Sequence, residues 1–112
     1  MKQIQFTGAE GQTLAADTMG VDDALPVILA HGGGQTRLSW RRTQERLAAA
    51  GLRAIAIDLR GHGESQWSSS GHYRIEDFAD DLLCVAHALG TPPALVGASL
   101  GGLSGLIAEG EI

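Results

Sequence analysis

Hydrophobic and polar residues alternate at the start of the chain and then give way to uniformly apolar runs. Ile4 and Phe6 point to one side while the neighbouring glutamines point to the other, a period of two that predicts an edge strand. The turn GAEG leads into QTLAADTM, which predicts the second strand of a hairpin. Three later runs lack alternation, namely PVILA (26–30), RAIAID (53–58) and PALVGAS (93–99). Such runs are typical of strands that are buried on both faces of a parallel sheet.

Two segments between these runs carry apolar residues at helical spacing. The first, SWRRTQERLAAAG (39–51), ends at Gly51, which can adopt the left-handed conformation that closes a helix. The second, IEDFADDLLCVAHALG (75–90), ends at Gly90, and Pro92 prevents the helix from resuming. A hairpin followed by strand, helix, strand, helix and strand predicts the start of an α/β domain with a parallel sheet.

Acidic residues crowd the first turns of the second predicted helix, where the helix dipole favours negative charge. They are Glu76, Asp77, Asp80 and Asp81. We interpret this run as a solvated helix face rather than a metal site. No two histidines have the i, i+4 spacing of a helical zinc site, so the sequence predicts no metal.

Composition and charge narrow the classes of function. A chain of 112 residues forms at most one modest domain, and 44% hydrophobic residues indicate a buried core. The net charge of −5 argues against nucleic acid or an anionic membrane as a partner. No apolar run is long enough for a membrane span, and the N-terminus lacks a signal-peptide pattern. Because Cys84 is the single cysteine, we expect a reducing, cytoplasmic location.

Ser99 stands between Gly97 and Gly101, where the last apolar run ends and a glycine-rich helix is predicted to begin. A sharp strand-to-helix turn at this point would strain the serine backbone and project its hydroxyl above the sheet edge. Glycines two positions to either side give the clearance that such a turn requires. The pattern is weak alone and gains weight from the preceding strand and helix order, so we predict Ser99 as a nucleophile.

A second glycine cluster, His31-Gly32-Gly33-Gly34, follows the apolar run 26–30. Consecutive glycines leave backbone amides bare, and an acyl-transfer enzyme needs two such N–H donors for the oxyanion of its transition state. We expect one donor at Gly33, with Gly34 as the alternative. The other expected donor is Leu100, directly after Ser99.

Three motifs together resemble the N-terminal part of the α/β-hydrolase superfamily. They are HGGGQ (31–35), DLRGHGES (58–65) and GASLGG (97–102), and the resemblance covers essentially the whole chain. It implies an α/β fold with a mostly parallel sheet and helices on both faces. The chain would carry the first five strands and end after the nucleophile elbow, which is the turn of residues 97–101 around Ser99. With a serine at the elbow, the chain resembles the esterase, lipase, C–C hydrolase and haloperoxidase-like branches. It differs from the dehalogenase and epoxide hydrolase branches, which carry aspartate there.

The same resemblance implies that the triad is incomplete in this chain. In the superfamily the acid and the histidine follow the serine. No histidine follows Ser99, and Glu109 and Glu111 lie in or just beyond the predicted helix, so we expect both partners to be absent. Residues 1–112 would then be a single incomplete domain of a larger enzyme, nearly inactive by itself.

The four histidines before the serine have structural interpretations. His31 would fix the glycine loop, and His62 would stabilise the turn RGHGES. His72 is expected in an exposed loop and His87 on the solvent side of the second helix. By the resemblance, Asp58 would hold its turn by accepting backbone hydrogen bonds.

The function implied is that of a serine hydrolase acting on a small ester or related acyl compound through an acyl-Ser99 intermediate, without a cofactor. Two alternatives stay open. One is a non-catalytic protein that binds a small ligand on the same scaffold, since fold does not fix function. The other is a cofactor-free haloperoxidase-like or perhydrolase-like activity.

Overall fold

The predicted apolar runs become strands of one sheet in the computed structural model, which describes residues 1–111. The strands are β1 (Lys2–Thr7), β2 (Thr13–Met19), β3 (Pro26–Ala30), β4 (Arg53–Ile57) and β5 (Ala94–Gly97). The helices are α1 (Arg41–Ala49), α2 (Ile75–Leu89) and α3 (Leu100–Glu111), and a short 3-10 helix, Arg37–Trp40, leads into α1. None of the helices described combines the length and the apolar character needed to cross a membrane.

The sheet has the strand order β1-β2-β4-β3-β5. β3 pairs in parallel with β4 on one side and with β5 on the other, so that Val27 lies opposite both Ala54 and Ala94. The hairpin of β1 and β2 is antiparallel, and β2 also joins β4 in the antiparallel sense. The α/β class and the edge position of β1 are therefore confirmed. The sheet of residues 1–111 is mixed rather than mostly parallel, because the hairpin adds directly to β4.

Helices cover both faces of the sheet, as predicted. Ile28 and Ile55 belong to the core layer that α2 and α3 cover, and Ala108 of α3 is buried in the same layer. Val27 points to the opposite face, where it belongs to a smaller layer packed against Leu47 of α1. Successive residues of β3 and β4 thus alternate between two dry layers. This explains why their sequences are continuously apolar.

β5 departs from the prediction that its run is buried on both faces. Its residues are exposed or half-buried, and Val96 keeps 43% of its surface accessible. The physical reason is its position at the end of the sheet described, where β3 is its one strand neighbour within residues 1–111. An apolar composition predicts what a strand can bury, and its neighbours decide what it does bury.

The acidic face of α2 also differs from expectation. Glu76 and Asp80 are exposed, as a solvated face requires, whereas Asp77 and Asp81 are buried. Both oxygens of Asp81 accept hydrogen bonds from the guanidinium of Arg60 at 2.8 Å. The prediction of a solvated face is therefore wrong for Asp77 and Asp81. Asp81 is turned toward the buried Arg60, and Asp77 caps the start of α2 by accepting the backbone N–H of Arg74 at 2.9 Å.

Asp81 satisfies more than one partner in this interior position. Its carboxylate also accepts the backbone N–H of Ala9 at 2.9 Å and the side-chain amide of Gln12 at 3.1 Å. The turn between β1 and β2, the loop after β4 and α2 are thus joined at one carboxylate. A buried charge is tolerated when it is paired and hydrogen-bonded in this way.

We predict that Asp81→Asn destabilises the fold far more than Asp80→Asn, the matched change one residue earlier. Asparagine at position 81 would leave the buried Arg60 guanidinium without its main counter-charge, which typically costs about 3–5 kcal/mol. The exposed Asp80 should tolerate the change to within about 0.5 kcal/mol. Denaturant unfolding of the purified variants measures both effects. Equal losses at the two positions would show that the buried pair does not stabilise the fold.

Candidate active site

Ser99 occupies the turn between β5 and α3, and its backbone is strained. It is the single non-glycine residue within 1–111 that has a positive φ, at 55°. This left-handed region is disfavoured for residues with a Cβ, and such conformations cost of order 1–3 kcal/mol and cluster at functional sites. α3 begins at Leu100, and the side chain of Ser99 is exposed at its start. The turn thus presents a hydroxyl at a helix N-terminus.

Two glycines allow this turn to close. A Cβ added at Gly97 would overlap the backbone of Gly101 and Gly102. A Cβ added at Gly101 would overlap the carbonyl groups of Ala30 and His31, and the Gly101 N–H donates to the His31 carbonyl at 3.1 Å. The end of β5, the first turn of α3 and the end of β3 therefore meet where there is no room for a methyl group.

The glycine loop after β3 lies beside the start of α3. A Cβ added at Gly33 would come 3.9 Å from Cδ2 of Leu100, so Gly33 faces the elbow. The N–H of Gly34 donates to Nε2 of His62 at 3.1 Å, and the N–H of Gly32 donates to the side-chain oxygen of Gln35 at 3.1 Å. Among the hydrogen bonds within residues 1–111, none uses the amide of Gly33 or of Leu100.

Two histidines flank the glycine loop. His31 is fully buried, its Nδ1 lies 2.7 Å from the carbonyl oxygen of Gly32, and its Nε2 accepts the N–H of Leu59 at 3.0 Å. Burial lowers the pKa of His31 more than the hydrogen bond to Gly32 raises it, so the ring is neutral near pH 7. The ring of His62 lies 4.9 Å from that of His31, centroid to centroid.

Asp58 is buried and gathers donors from two loops. Its carboxylate accepts the backbone N–H of Arg37 at 2.6 Å and that of Glu64 at 2.9 Å, and it forms an ion pair with the Arg37 guanidinium. Although burial opposes the charge on Arg37, the carboxylates of Glu64 and Asp58 raise its pKa. The structure thus places Asp58 at the base of the glycine loop, where it holds turns rather than facing Ser99. Arg37 was not singled out in the sequence because periodicity does not reveal the partner of a buried charge.

The remaining histidines and the cysteine lie in other parts of the structure, on the loop before α2 and on α2 itself. Nδ1 of His72 lies 3.3 Å from a carboxylate oxygen of Glu10. His87 is exposed near the end of α2, and Cys84 is half-buried on the same helix. Within residues 1–111, no three His, Cys, Asp or Glu side chains come together in a way that would hold a metal ion.

We predict opposite effects from the same substitution at two glycines of α3. Gly101→Ala places a methyl group against the Ala30 and His31 carbonyls and should lower the unfolding free energy by about 1–3 kcal/mol or more. Gly105→Ala meets Cβ of Leu95 at an ordinary 3.9 Å and should raise it by about 0.5–1 kcal/mol, since alanine favours a helix interior. Thermal and denaturant unfolding compare the two variants. If Gly101→Ala proved as stable as Gly105→Ala, the close approach at the elbow would be refuted.

We predict that the unfolding free energy of His31→Gln falls less steeply than that of the wild type as the pH is lowered below 6.5. Because burial lowers the pKa of folded His31 below its ordinary 6.5, the unfolded chain binds the proton more readily. Stability contributed by the neutral ring is then complete above pH 6.5 and is lost as the pH falls below that value. The slope for one proton is at most about 1.4 kcal/mol per pH unit.

The unfolding free energy of both proteins between pH 7 and pH 5 measures this slope. His87→Gln removes an exposed histidine and serves as the control, which should follow the wild type. An unchanged slope in His31→Gln would contradict the assignment of a neutral, buried His31.

Comparisons with known proteins agree with this architecture. Residues 26–108 match the family model of the alpha/beta hydrolase fold. An esterase of Mycobacterium tuberculosis is 39% identical over 82 residues, which cover 71% of this chain and 26% of the esterase. Epoxide hydrolase B of the same organism is 38% identical over 71 residues, covering 62% and 20% of the two chains. The solved structure of a thermophilic esterase from Thermogutta terrifontis superimposes with a TM-score of 0.84 at 33% identity, covering 99% of this chain and 41% of that one.

The relatives differ in chemistry and exceed this chain in length. Of three curated relatives that it matches, the chain spans 33%, 26% and 21%. Their names include an esterase and a methylesterase, and a further relative is an epoxide hydrolase, so relatedness leaves the cleaved bond open. The family model covers most of the chain, from β3 into α3. The chain belongs to the α/β-hydrolase fold family.

Proposed function

We propose that the whole protein is a serine hydrolase that cleaves an ester or related acyl bond through a covalent acyl-Ser99 intermediate. The observation that carries the proposal is the strained, exposed position of Ser99, whose φ is 55° at a turn closed by Gly97 and Gly101. Strain at an exposed polar residue is maintained by the surrounding structure, and it concentrates at functional sites.

The chemistry proposed has two stages. Oγ of Ser99 attacks the carbonyl carbon of the substrate while its proton passes to a histidine base, and the carbonyl oxygen becomes an oxyanion. The bond to the leaving alcohol then breaks, and the histidine returns its proton to the alcohol. Water, activated by the same histidine, attacks the acyl group and releases the acid, which restores Ser99. No cofactor takes part in either stage.

The N–H groups of Gly33 and Leu100 are the proposed donors to the oxyanion. Leu100 is the first residue of α3, where backbone amides lack acceptors within the helix. Gly33 faces Leu100, and its amide is not engaged within residues 1–111. Gly34 is the weaker candidate because its N–H already donates to His62. Each such donor typically contributes about 3 kcal/mol to lowering the barrier.

The histidine base and its acid are proposed to lie outside residues 1–111. His31 uses both ring nitrogens in hydrogen bonds to backbone groups, and so does His62. Neither ring therefore has a nitrogen available for the Ser99 proton. A small ester-like molecule is the proposed substrate, and the cytoplasm is the proposed location, since a reducing compartment leaves the single cysteine free.

An acyl substrate is favoured over an epoxide by the residue at the elbow. By its resemblance to the superfamily, an epoxide-opening member would present a carboxylate at this position, whereas the residue here is Ser99. A hydroxyl nucleophile with two backbone donors nearby suits a tetrahedral acyl intermediate.

The test is covalent labelling of the whole protein with a fluorophosphonate, followed by location of the adduct. We expect the adduct on Ser99, and we expect Ser99→Ala to lose both labelling and ester turnover, with kcat falling by about six orders of magnitude. Ser69→Ala, which removes an exposed loop hydroxyl, is the control and should behave as the wild type.

Three outcomes would redirect the proposal. A folded protein that is not labelled at Ser99 would favour the non-catalytic, ligand-binding alternative. Turnover that requires peroxide would favour the haloperoxidase-like alternative. Opening of an epoxide without acyl turnover would assign the protein to the other branch found among its relatives.

A further inference from the structure

The loops after β3 and β4 are joined by a reciprocal pair of histidines. His31, directly after β3, accepts the N–H of Leu59 from the loop after β4 at 3.0 Å. His62, from the loop after β4, accepts the N–H of Gly34 from the loop after β3 at 3.1 Å. The two rings lie 4.9 Å apart, and the rings of Phe78 and His62 meet in a T-shaped arrangement with 6.3 Å between centroids. Each loop is thus held by a ring that belongs to the other.

The partners of His62 assign its tautomer. The amide of Gly34 can only donate, so Nε2 must carry the lone pair. Nδ1 lies 3.0 Å from the carbonyl oxygen of Arg60, which can only accept, so Nδ1 carries the proton. The same logic places the proton of His31 on Nδ1, facing the carbonyl of Gly32. Both rings are therefore neutral and hold the Nδ1–H form.

These contacts fix both peptide units that meet at the Cα of Gly33. The carbonyl of Gly32 and the N–H of Gly33 belong to one planar trans unit and point in opposite directions. Because the carbonyl faces the His31 ring at 2.7 Å, the Gly33 N–H is directed away from that ring. The next unit contains the Gly34 N–H, which His62 holds. Glycine rotates more freely than any other residue, so an unheld unit at this position would sample several orientations.

We propose that His62 is a positioning residue for the oxyanion site. Its ring holds the peptide unit that joins Gly33 to Gly34, which restricts rotation at the Cα of Gly33 and thereby keeps the Gly33 N–H in one orientation. The role rests on the proposed function, in which that amide binds the oxyanion. His62 does not touch the reacting atoms, and its effect passes through the loop. Preorganised donors stabilise the transition state because they need no reorientation during the reaction.

Steady-state kinetics of the whole protein with a simple ester provide the first test. We expect His62→Ala to lower kcat about tenfold to a hundredfold while KM changes less than about threefold, since the loss falls on the transition state. His62→Gln should recover most of kcat because its side-chain oxygen can accept the Gly34 N–H. His87→Ala, which removes an exposed histidine of α2, should leave both constants unchanged.

A second test does not depend on activity. In the wild-type protein, the ¹⁵N shifts of the His62 ring should show a protonated Nδ1 and an unprotonated Nε2, and the Gly34 amide should exchange slowly with solvent. His62→Ala should release that protection, and His62→Gln should keep it. If His62→Ala does not fold, the ring shifts and the glutamine variant still decide the assignment.

The outcomes separate the two proposals. Unchanged kcat in His62→Ala, equal losses in the alanine and glutamine variants, or an Nε2–H tautomer with a fast-exchanging Gly34 amide would each overturn the positioning role. Full ester turnover in Ser99→Ala would instead overturn the proposed nucleophile, and a protected Gly34 amide in that protein would still support the pairing of His62 with the loop.

Discussion

The close backbone contact at Gly101 is the constraint on which the site depends. At this point the first turn of α3 rests on the Ala30 and His31 carbonyls, with no side chain between them. Because β3 lies between β4 and β5 in the sheet, whatever rests on its end is fixed relative to both neighbours. The distance from the elbow to the start of the glycine loop is therefore set by direct contact between two backbone segments, and no change of side-chain rotamer can alter it.

Buried charge holds the loops around that contact. Asp58 anchors the loop after β3 through Arg37, and Asp81 anchors the loop after β4 through Arg60. These side chains are buried, so each ion pair requires its partner to stay in place. An apolar contact tolerates small shifts, whereas these carboxylates restrict each loop to the geometry that satisfies their hydrogen bonds. The polar interior thus specifies position as well as contributing stability.

The sequence predicted the elements that have a local signature. The runs 26–30 and 53–58 were recognisable because both faces of β3 and β4 are covered, which leaves no polar alternation. The left-handed Gly90 at the end of α2 follows from the rarity of that conformation in other residues. The predicted start of the first helical segment, at residue 39, was less accurate. Thr36 caps a 3-10 turn there, and the α-helix starts only at Arg41.

The sequence did not predict contacts between residues that are far apart along the chain. The burial of Asp81 depends on Arg60, and that of Asp58 on Arg37, and helical spacing carries no information about either partner. The reciprocal use of His31 and His62 likewise requires two loops from different strands to meet. The sequence predicts the candidate site because glycines and a serine form a recognisable local pattern. Its supporting contacts became visible only in three dimensions.

The position of Asp81 has a consequence for synthesis of the chain. The turn between β1 and β2 leaves the ribosome before α2 does, and the carboxylate that accepts the Ala9 amide lies 72 residues further on. At about 5–20 residues per second, roughly 4–14 seconds pass before that partner is made. During this interval the hairpin can form without the contact from Asp81, and Arg60 emerges after Glu10 but before Asp81, its two acidic partners. The turn of this hairpin is therefore completed by a helix that is translated after it, so the last contacts of the turn form only once α2 has been made.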